Sequence, residues 1–320
     1  MTGRALPSVI ALHVAVIAVL FAIQFLLPDY HHTNVARILV LATYALGYNL
    51  LLGYTGLMSL GHAMFFAAGM YGAGLPVYYF GFGAPAALAS GIAAGVAVSA
   101  LFGWMALRTS GVSFLIVSLM FAQAFYLASL YFNEITLGDQ GFILSQNLAP
   151  LAIGGASIAF HEPALKYNGA LALFAVGVLG MLALRVSPVG RVLIAIRENE
   201  ERTRLLGYDS FRYKLLALVL SGGLAAAAGA TYALLFSYVG STFASILYSI
   251  YPLLWTLLGG IGTILGPLVG TGLMFYLVDI ASGFTSAYLL VVGVALVALV
   301  LWFPQGILGM VRKKWLPWLP

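Results

Sequence analysis

The chain has no cysteine. That removes disulfides, thiolate metal sites and thiol nucleophiles from consideration. Charge is scarce as well. Asp, Glu, Lys and Arg make up 7% of the 320 residues, where a soluble domain carries about a quarter. No lysine follows a glycine, so the Gly-Lys-Ser/Thr loop that cradles nucleotide phosphates is missing. The apolar runs hold almost no acids, which counts against an ion-coupled secondary transporter built on buried carboxylates. No nucleophile–base pair or metal-ligand cluster converges, so no catalytic and no metal-binding residue is expected. The alternating ten-residue segments of a membrane β-barrel are not found either.

What is present is hydrocarbon. Apolar residues make up 62% of the chain and the mean hydropathy is +1.04. Continuous apolar runs of about 20 residues recur, the length that crosses a bilayer as a helix. The expectation is an all-α polytopic membrane bundle, a single domain over residues 1–320, with about eight to ten spans. The run Leu6–Leu27 is too long for a signal-peptide core and ends without a small-residue cleavage site, so it reads as a span flanked by Arg4. Further runs cover Ile38–Leu52, the residues up to Phe80, those up to Leu107, Val112–Phe132 and Tyr167–Leu184. The connection 133–166 carries only Glu134, Asp139, Glu162 and Lys166 and is expected outside.

The basic residues set the orientation. Arg4, Arg108, Arg185 and the C-terminal Arg312-Lys313-Lys314 fall on one side, which puts both termini in the cytoplasm. Arg37 falls on the other side and is the one exception. The net charge of +5 thus belongs beside membrane spans and does not point to nucleic acid. After Lys214 a span runs to about Tyr238. The long apolar segment Ile246–Ile280 is interrupted at Gly259–Pro267 and is read as two crossings. A second Gly-rich interruption covers Gly53–His62. The two are loosely alike, one in each half, as inverted-repeat transporters arrange them; the abundance of glycine offers chance as the rival account.

The densest charge lies at 185–214, which holds seven of the 14 basic residues and four of the nine acids. Such a segment must sit in water. Ser187 is suited to cap a helix, Pro188 to begin it and Gly207 to end it. Three pairs fall at i,i+4: Arg197–Glu201, Glu198–Arg202 and Glu200–Arg204. One helix over Pro188–Leu206 is expected. It is either a solvated loop or a docking helix, since the apolar Leu205 and Leu206 precede Gly207 and Tyr208.

SPVGRVLIAIRENEERTRLLGYDSFRYKLLALVLSG resembles the cytoplasmic loop of branched-chain amino-acid ABC transporter permeases of the LivM type. NLLLGYTGLMSLGHAMFFAAGMY, ALRTSGVSFLIVSLMFAQAF, TLGDQG and LLGGIGTILGPLVG resemble four further motifs of that family in the same order. The resemblance implies a permease subunit in a bacterial inner membrane. It implies a LivH-type second permease, two ATPase subunits that bind the ATP, and an extracytoplasmic substrate-binding protein. No cofactor is implied in this chain. Residues Arg197, Glu198, Asn199, Glu200, Glu201, Gly207 and Tyr208 would form the ATPase-coupling helix. Arg202 and Thr203 stand where its motif often has two alanines. Asp139 and Gly141 would face the receptor, although Asp139 serves equally to solvate a loop.

The Gly-rich breaks are the candidate substrate path, because unwound backbone at membrane depth is tolerated where it lines a cavity. The candidates are Gly53, Thr55, Gly56, Ser59, His62, Thr256, Gly259, Gly260, Gly262 and Thr263. Their glycines serve equally well for close helix packing. Gln123, polar within an apolar run, is either interhelical glue or path lining. The carried solute is expected to be Leu, Ile or Val. Urea, short amides or aromatic acids are the alternative for the same architecture.

Overall fold

The computed structural model describes residues 6–148, 151–153, 156–158, 160 and 162–315. Arg4 and parts of the 133–166 connection lie outside the described residues. The apolar runs fold as helices, which satisfy their own backbone in hydrocarbon. The first half contains α1 (Leu6–Ile23), α2 (Asp29–Leu50, continued by a π turn, Leu51–Thr55), α3 (His62–Phe80), α4 (Ala84–Ala106) and α5 (Val112–Tyr131). A connection follows with α6 (Asn133–Thr136), β1 (Phe142–Ile143), β2 (Leu151–Ile153) and β3 (Ala156–Ile158). The second half contains α7 (Pro163–Val186), α8 (Pro188–Glu198), α9 (Glu200–Leu205) and α10 (Ser210–Phe236). It ends with β4 (Tyr238–Val239), α11 (Ile246–Gly259), α12 (Gly266–Phe284), α13 (Tyr288–Trp302) and α14 (Ile307–Lys314). Proline sits in the first turn of α4, α7, α8 and α12, where its missing N–H costs nothing. Among the described residues, seven helices are long and apolar enough to cross a membrane. Two shorter apolar helices, α1 and α11, accompany them, and α3 is as long as α12 but less apolar.

The two halves share a plan but run in opposite directions. Helices α2 and α10 pack against each other at the centre. Helices α3 and α4 pack on α10, while α11 and α12 pack on α2. After α2 the chain is non-helical over 56–61 before α3 begins. After α10 it is non-helical over 237–245, apart from a 3-10 turn at Ser241–Ala244, before α11 begins. The counterpart of the first break is therefore 237–245. The Gly259–Gly266 stretch is instead the tight turn joining α11 to α12, and it lies beside Gly53 at the same end of the bundle. The supposed repeat of the two Gly-rich stretches is corrected accordingly. That end also carries α8, α9 and the cations of α14, and is called the basic end below.

Small residues let the helices approach. A side chain on Gly69 of α3 would run into the Ala226 backbone of α10, and one on Gly229 of α10 into the Phe66 carbonyl. Such close contact replaces the hydrophobic effect as the cohesive force between helices in lipid.

The charged segment departs from the single helix expected. Ser187 does cap α8, accepting from the Gly190 N–H at 3.1 Å. The helix then breaks at Asn199, whose backbone is extended (φ −159°, ψ 102°). The Asn199 side chain accepts from the Arg202 N–H at 2.8 Å and so caps α9. Gly207 follows with φ +90°. The break separates Arg197 from Glu201 and Glu198 from Arg202, so those i,i+4 pairs do not form. Glu200 pairs with Lys214 of α10 rather than with Arg204. Thr203 is buried and donates its hydroxyl to the Asn199 carbonyl at 2.8 Å. The position where the family's motif often has an alanine is thus filled inward, against α9's own start.

Candidate functional site

Half-way along α2 and α10, two helix N-termini meet. The Ser221 hydroxyl of α10 donates to the Gly47 carbonyl of α2 at 2.5 Å. His62, the first residue of α3, places Nε2 2.7 Å from that same hydroxyl. The serine proton is committed to Gly47, so His62 Nε2 must donate, which leaves Nδ1 as an acceptor. That Nδ1 is fully buried and has no partner among the described residues. The next residue, Ala63, donates its N–H to the Ser249 hydroxyl in the first turn of α11 at 3.0 Å. One residue earlier on α11, the Tyr248 carbonyl accepts from the Tyr44 hydroxyl of α2 at 2.8 Å. Helix α3 therefore starts at mid-height and runs to the end opposite the basic one. Helix α11 starts at the same level and runs back to the basic end.

Non-helical backbone at this depth has to be satisfied by side chains, and here serines do it. The Ser59 hydroxyl accepts from the Gly61 N–H at 3.1 Å, and Ser118 of α5 accepts from the Leu60 N–H at 2.9 Å. Tyr48 stands edge-on to His62 with ring centroids 4.8 Å apart, and its hydroxyl is also buried without a partner.

At the basic end the two Gly-rich stretches are joined. Asn49 of α2 is fully buried. Its amide donates to the Thr263 carbonyl and accepts from the Gly262 N–H, each at 2.8 Å. Four residues on, the Gly53 carbonyl accepts from Arg197 Nη1 of α8 at 2.6 Å. A side chain on Gly53 would press on Asn49 and on the Gly262 backbone. Gly56 and Gly262, both with φ +74°, lie against the Arg197 side chain. The left-handed backbone favours glycine at these two positions.

Among the candidate path residues, the structure brings Gly53, Gly56, Gly262 and Thr263 together at this junction, and Arg197 joins them from the charged segment. Ser59 and His62 lie deeper. Thr55 bonds back to the Leu51 carbonyl at 2.5 Å, Thr263 to that of Gly260 at 2.7 Å, and Thr256 faces the Ala45 carbonyl at 3.4 Å. Gly259 packs directly against the Gly266 backbone, and Gly260 (φ +122°) against Gly306 and Gly309. Gln123 is half-buried on α5, apart from both clusters.

The remaining coupling candidates line the outer surface of the basic end. Glu198, Glu201, Gly207 and Tyr208 are exposed, and Leu205 and Leu206 are 88% and 71% exposed. Glu200 anchors this surface to α10. Its partial burial pushes its carboxyl pKa up, but the hydrogen bonds from Lys214 and Ser210 outweigh that and hold it below the ordinary value. At the opposite end, Asp139 is exposed beside Gly141 (φ +64°). Gly141 sits against Val239, where β1 pairs antiparallel with β4. Asp279 accepts from the Tyr30 hydroxyl at 2.8 Å near that same end.

Sequence reasoning passed over Asn49, Ser118, Ser221 and Ser249. Asn49 carried a signal, since a lone amide in an apolar run is as unusual as Gln123. The serines carried none, being small residues common at helix contacts.

Over residues 33–301 the chain matches the family described as the branched-chain amino acid transport system / permease component. It is 29% identical over 289 residues to the high-affinity branched-chain amino acid transport system permease protein LivM of Salmonella typhimurium, covering 84% of this chain and 68% of that protein. It is 29% identical over 292 residues to LivM of Escherichia coli, with the same coverage. To the permease protein LivH of Salmonella typhimurium it is 27% identical over 290 residues, covering 84% of this chain and 91% of that one. No solved structure matches the chain.

Proposed function

The chain belongs to the family of branched-chain amino acid transport permease components, and on that premise we propose that it imports Leu, Ile or Val by alternating access driven by separate ATPases. In this reading it pairs with a LivH-type permease, takes its solute from an extracytoplasmic binding protein, and keeps its basic end and both termini in the cytoplasm of a bacterial inner membrane. The names of its relatives support the solute class. The cation-rich end agrees with the positive-inside rule.

The observation that carries the mechanism is the hydrogen bond from Arg197 to the Gly53 carbonyl. The outer face of α8 and α9 offers exposed Leu205, Leu206 and Tyr208 to an ATPase groove. The inner face reaches the one point where both Gly-rich stretches are clasped by Asn49. Displacement of α8 by ATPase closure then draws on Gly53, loosens the clasp on Gly262 and Thr263, and frees the α11–α12 turn. The basic end opens toward the cytoplasm while the half-helix N-termini at mid-height release their cargo. The bare His62 Nδ1 is the acceptor suited to a substrate ammonium there.

The test is coupling in the assembled transporter in proteoliposomes. Arg197→Gln should leave receptor-stimulated ATPase activity near wild type and lower leucine uptake per ATP by about tenfold, the scale of one lost charge-assisted hydrogen bond. Unchanged uptake per ATP would remove Arg197 from the coupling path. A receptor that binds urea or aromatic acids instead of leucine would replace the solute.

A further inference from the structure

Helices α4 and α7 both pack on α10, but they make no comparable contact with each other. That leaves a cleft between them, floored by α10, with a volume of about 510 Å³. Each wall is one face of its helix. Leu88 and Ile92 stand one turn apart on α4, Gly169, Leu173 and Gly177 follow at four-residue steps on α7, and Leu224 and Leu235 mark the two ends of the α10 floor. The glycines bring the α7 wall down onto that floor. A side chain on Gly169 would meet Leu235 at 3.3 Å, and one on Gly177 would reach Leu224 at 3.8 Å. All three helices are membrane spans by length and composition, so the cleft opens into hydrocarbon. Val176, on its rim, is 68% exposed.

One end of the cleft carries charge. Lys166 precedes Gly169 by three residues and Leu173 by seven, so it heads the same face of α7, at the end of the bundle away from α8 and α9. It is half-buried, and no ion pair among the described residues engages it, not even with Glu162 one turn earlier. It also lies in the first turn of a 24-residue helix, where the macrodipole favours an anion and disfavours a cation. Cation and dipole together call for a negative group there. Arg37, over the ring of Phe236 at the last turn of α10, places a second positive charge at this end. The length of the cleft is informative too. From Leu165 to Gly177 the α7 wall runs about 18 Å at 1.5 Å per residue, close to the roughly 15 Å of hydrocarbon in one leaflet.

We propose that the cleft between α4 and α7 holds one acyl chain of an anionic phospholipid, drawn from the leaflet away from the basic end, with its phosphate on Lys166. An apolar void left empty forfeits the dispersion contacts of its lining, and a chain of one leaflet's depth restores them. The Lys166 stem lies along the apolar wall while its ammonium stays at the interface and donates charge-assisted hydrogen bonds to phosphate oxygens. A helix of the second permease would answer the cation only by bringing an acid into the contact. The lipid wedges α4 from α7 on the helix that carries Ser221 to the mid-height junction. The inference is independent of which solute crosses.

The probes are phosphatidylglycerol and phosphatidylcholine bearing the same photoreactive diazirine acyl chain, added to the assembled transporter in nanodiscs. After irradiation the labelled peptides are mapped by mass spectrometry. Phosphatidylglycerol should label residues 165–177 and 224–235 at least about tenfold more than phosphatidylcholine does. Lys166→Gln should bring the two lipids level, and Lys166→Arg should keep the preference. Ala172→Trp, which fills the cleft from an exposed lining position, should remove the label from both peptides with either lipid. If that variant does not assemble, the Lys166→Gln comparison decides. The proposal falls if the wild type takes equal label from the two lipids, or if label spreads evenly over the cleft and the exposed face of α13, since the cleft is then ordinary lipid-facing surface. It falls too if the cleft takes no label and Val176→Cys cross-links to the second permease, because the cleft then belongs to a subunit contact.

Discussion

Asn49 shows how one side chain can hold two distant stretches of backbone. Its donor and its acceptor are both used, on adjacent residues of the α11–α12 turn. Asn49→Leu keeps the volume and strips both bonds, so the Gly262 N–H and the Thr263 carbonyl are left buried and unpaired. Each such group costs about 1–3 kcal/mol. The variant is therefore expected to lower unfolding stability in detergent by about 2 kcal/mol or more. If the clasp closes the basic end, as we propose, the variant should also let leucine leak from sealed vesicles without ATP. An unfolding midpoint and leak rate equal to wild type would show that Asn49 holds nothing shut. The residue was legible in the sequence only as an oddity. Its partners lie more than two hundred positions away, and no local pattern of residue types announces a contact of that range.

At the scale of elements, the spans were legible because each must bury its own backbone and therefore needs a long apolar run. The break at Gly53–His62 was legible because glycine and polar residues interrupt such a run. The break over 237–245 was not. Its residues, SYVGSTFAS, hold a single glycine, and a short polar gap between two apolar runs looks like an ordinary surface loop. The descent of that gap to mid-height depends on β4 pairing with β1 and on Ser249 meeting the start of α3, both tertiary facts. The division of the charged helix at Asn199 was also hidden, since asparagine caps a helix as readily as it sits within one. That division makes α9 a separate lever, tied to α10 through Glu200 and Lys214. Lys214→Met should free it, raising backbone hydrogen exchange over residues 200–206 by about tenfold after correction for intrinsic rates. In wild type the same loosening should come with acid. The Glu200 carboxyl is held below its ordinary pKa, so the tie is whole above the unfolded value. It is lost as pH falls through the lowered folded value. Equal exchange in the two proteins at neutral pH would mean that α9 is held by its own cap and the buried Thr203 alone.

At the scale of the whole molecule, the reversed plan of the two halves explains why the half-helices meet where they do. Inverting a unit that contains a half-crossing puts its helix start at the level of its twin's, and opposite to it. One start is reached from the basic end through 56–61, the other from the opposite end through 237–245. The breaks lie on opposite sides of a shared centre, and in the alternating-access mechanism we propose each would serve as the backbone gate of its own side. In that mechanism Asn49 and Arg197 would serve the basic-end gate, and the β1–β4 pairing stands beside the other break. The proposed orientation can be measured, because the chain has no cysteine of its own. Single cysteines at Leu205 and at Asp139, both exposed, should react with a membrane-impermeant maleimide from opposite sides of the bilayer. In intact cells stripped of their outer membrane, Asp139→Cys is expected to label and Leu205→Cys to stay protected until the membrane is opened. Binding of the ATPase subunits should then protect Leu205→Cys again in inside-out vesicles, since that surface is where they are proposed to dock. Labelling of Leu205→Cys in intact cells would reverse the orientation, and with it the side on which ATP can act.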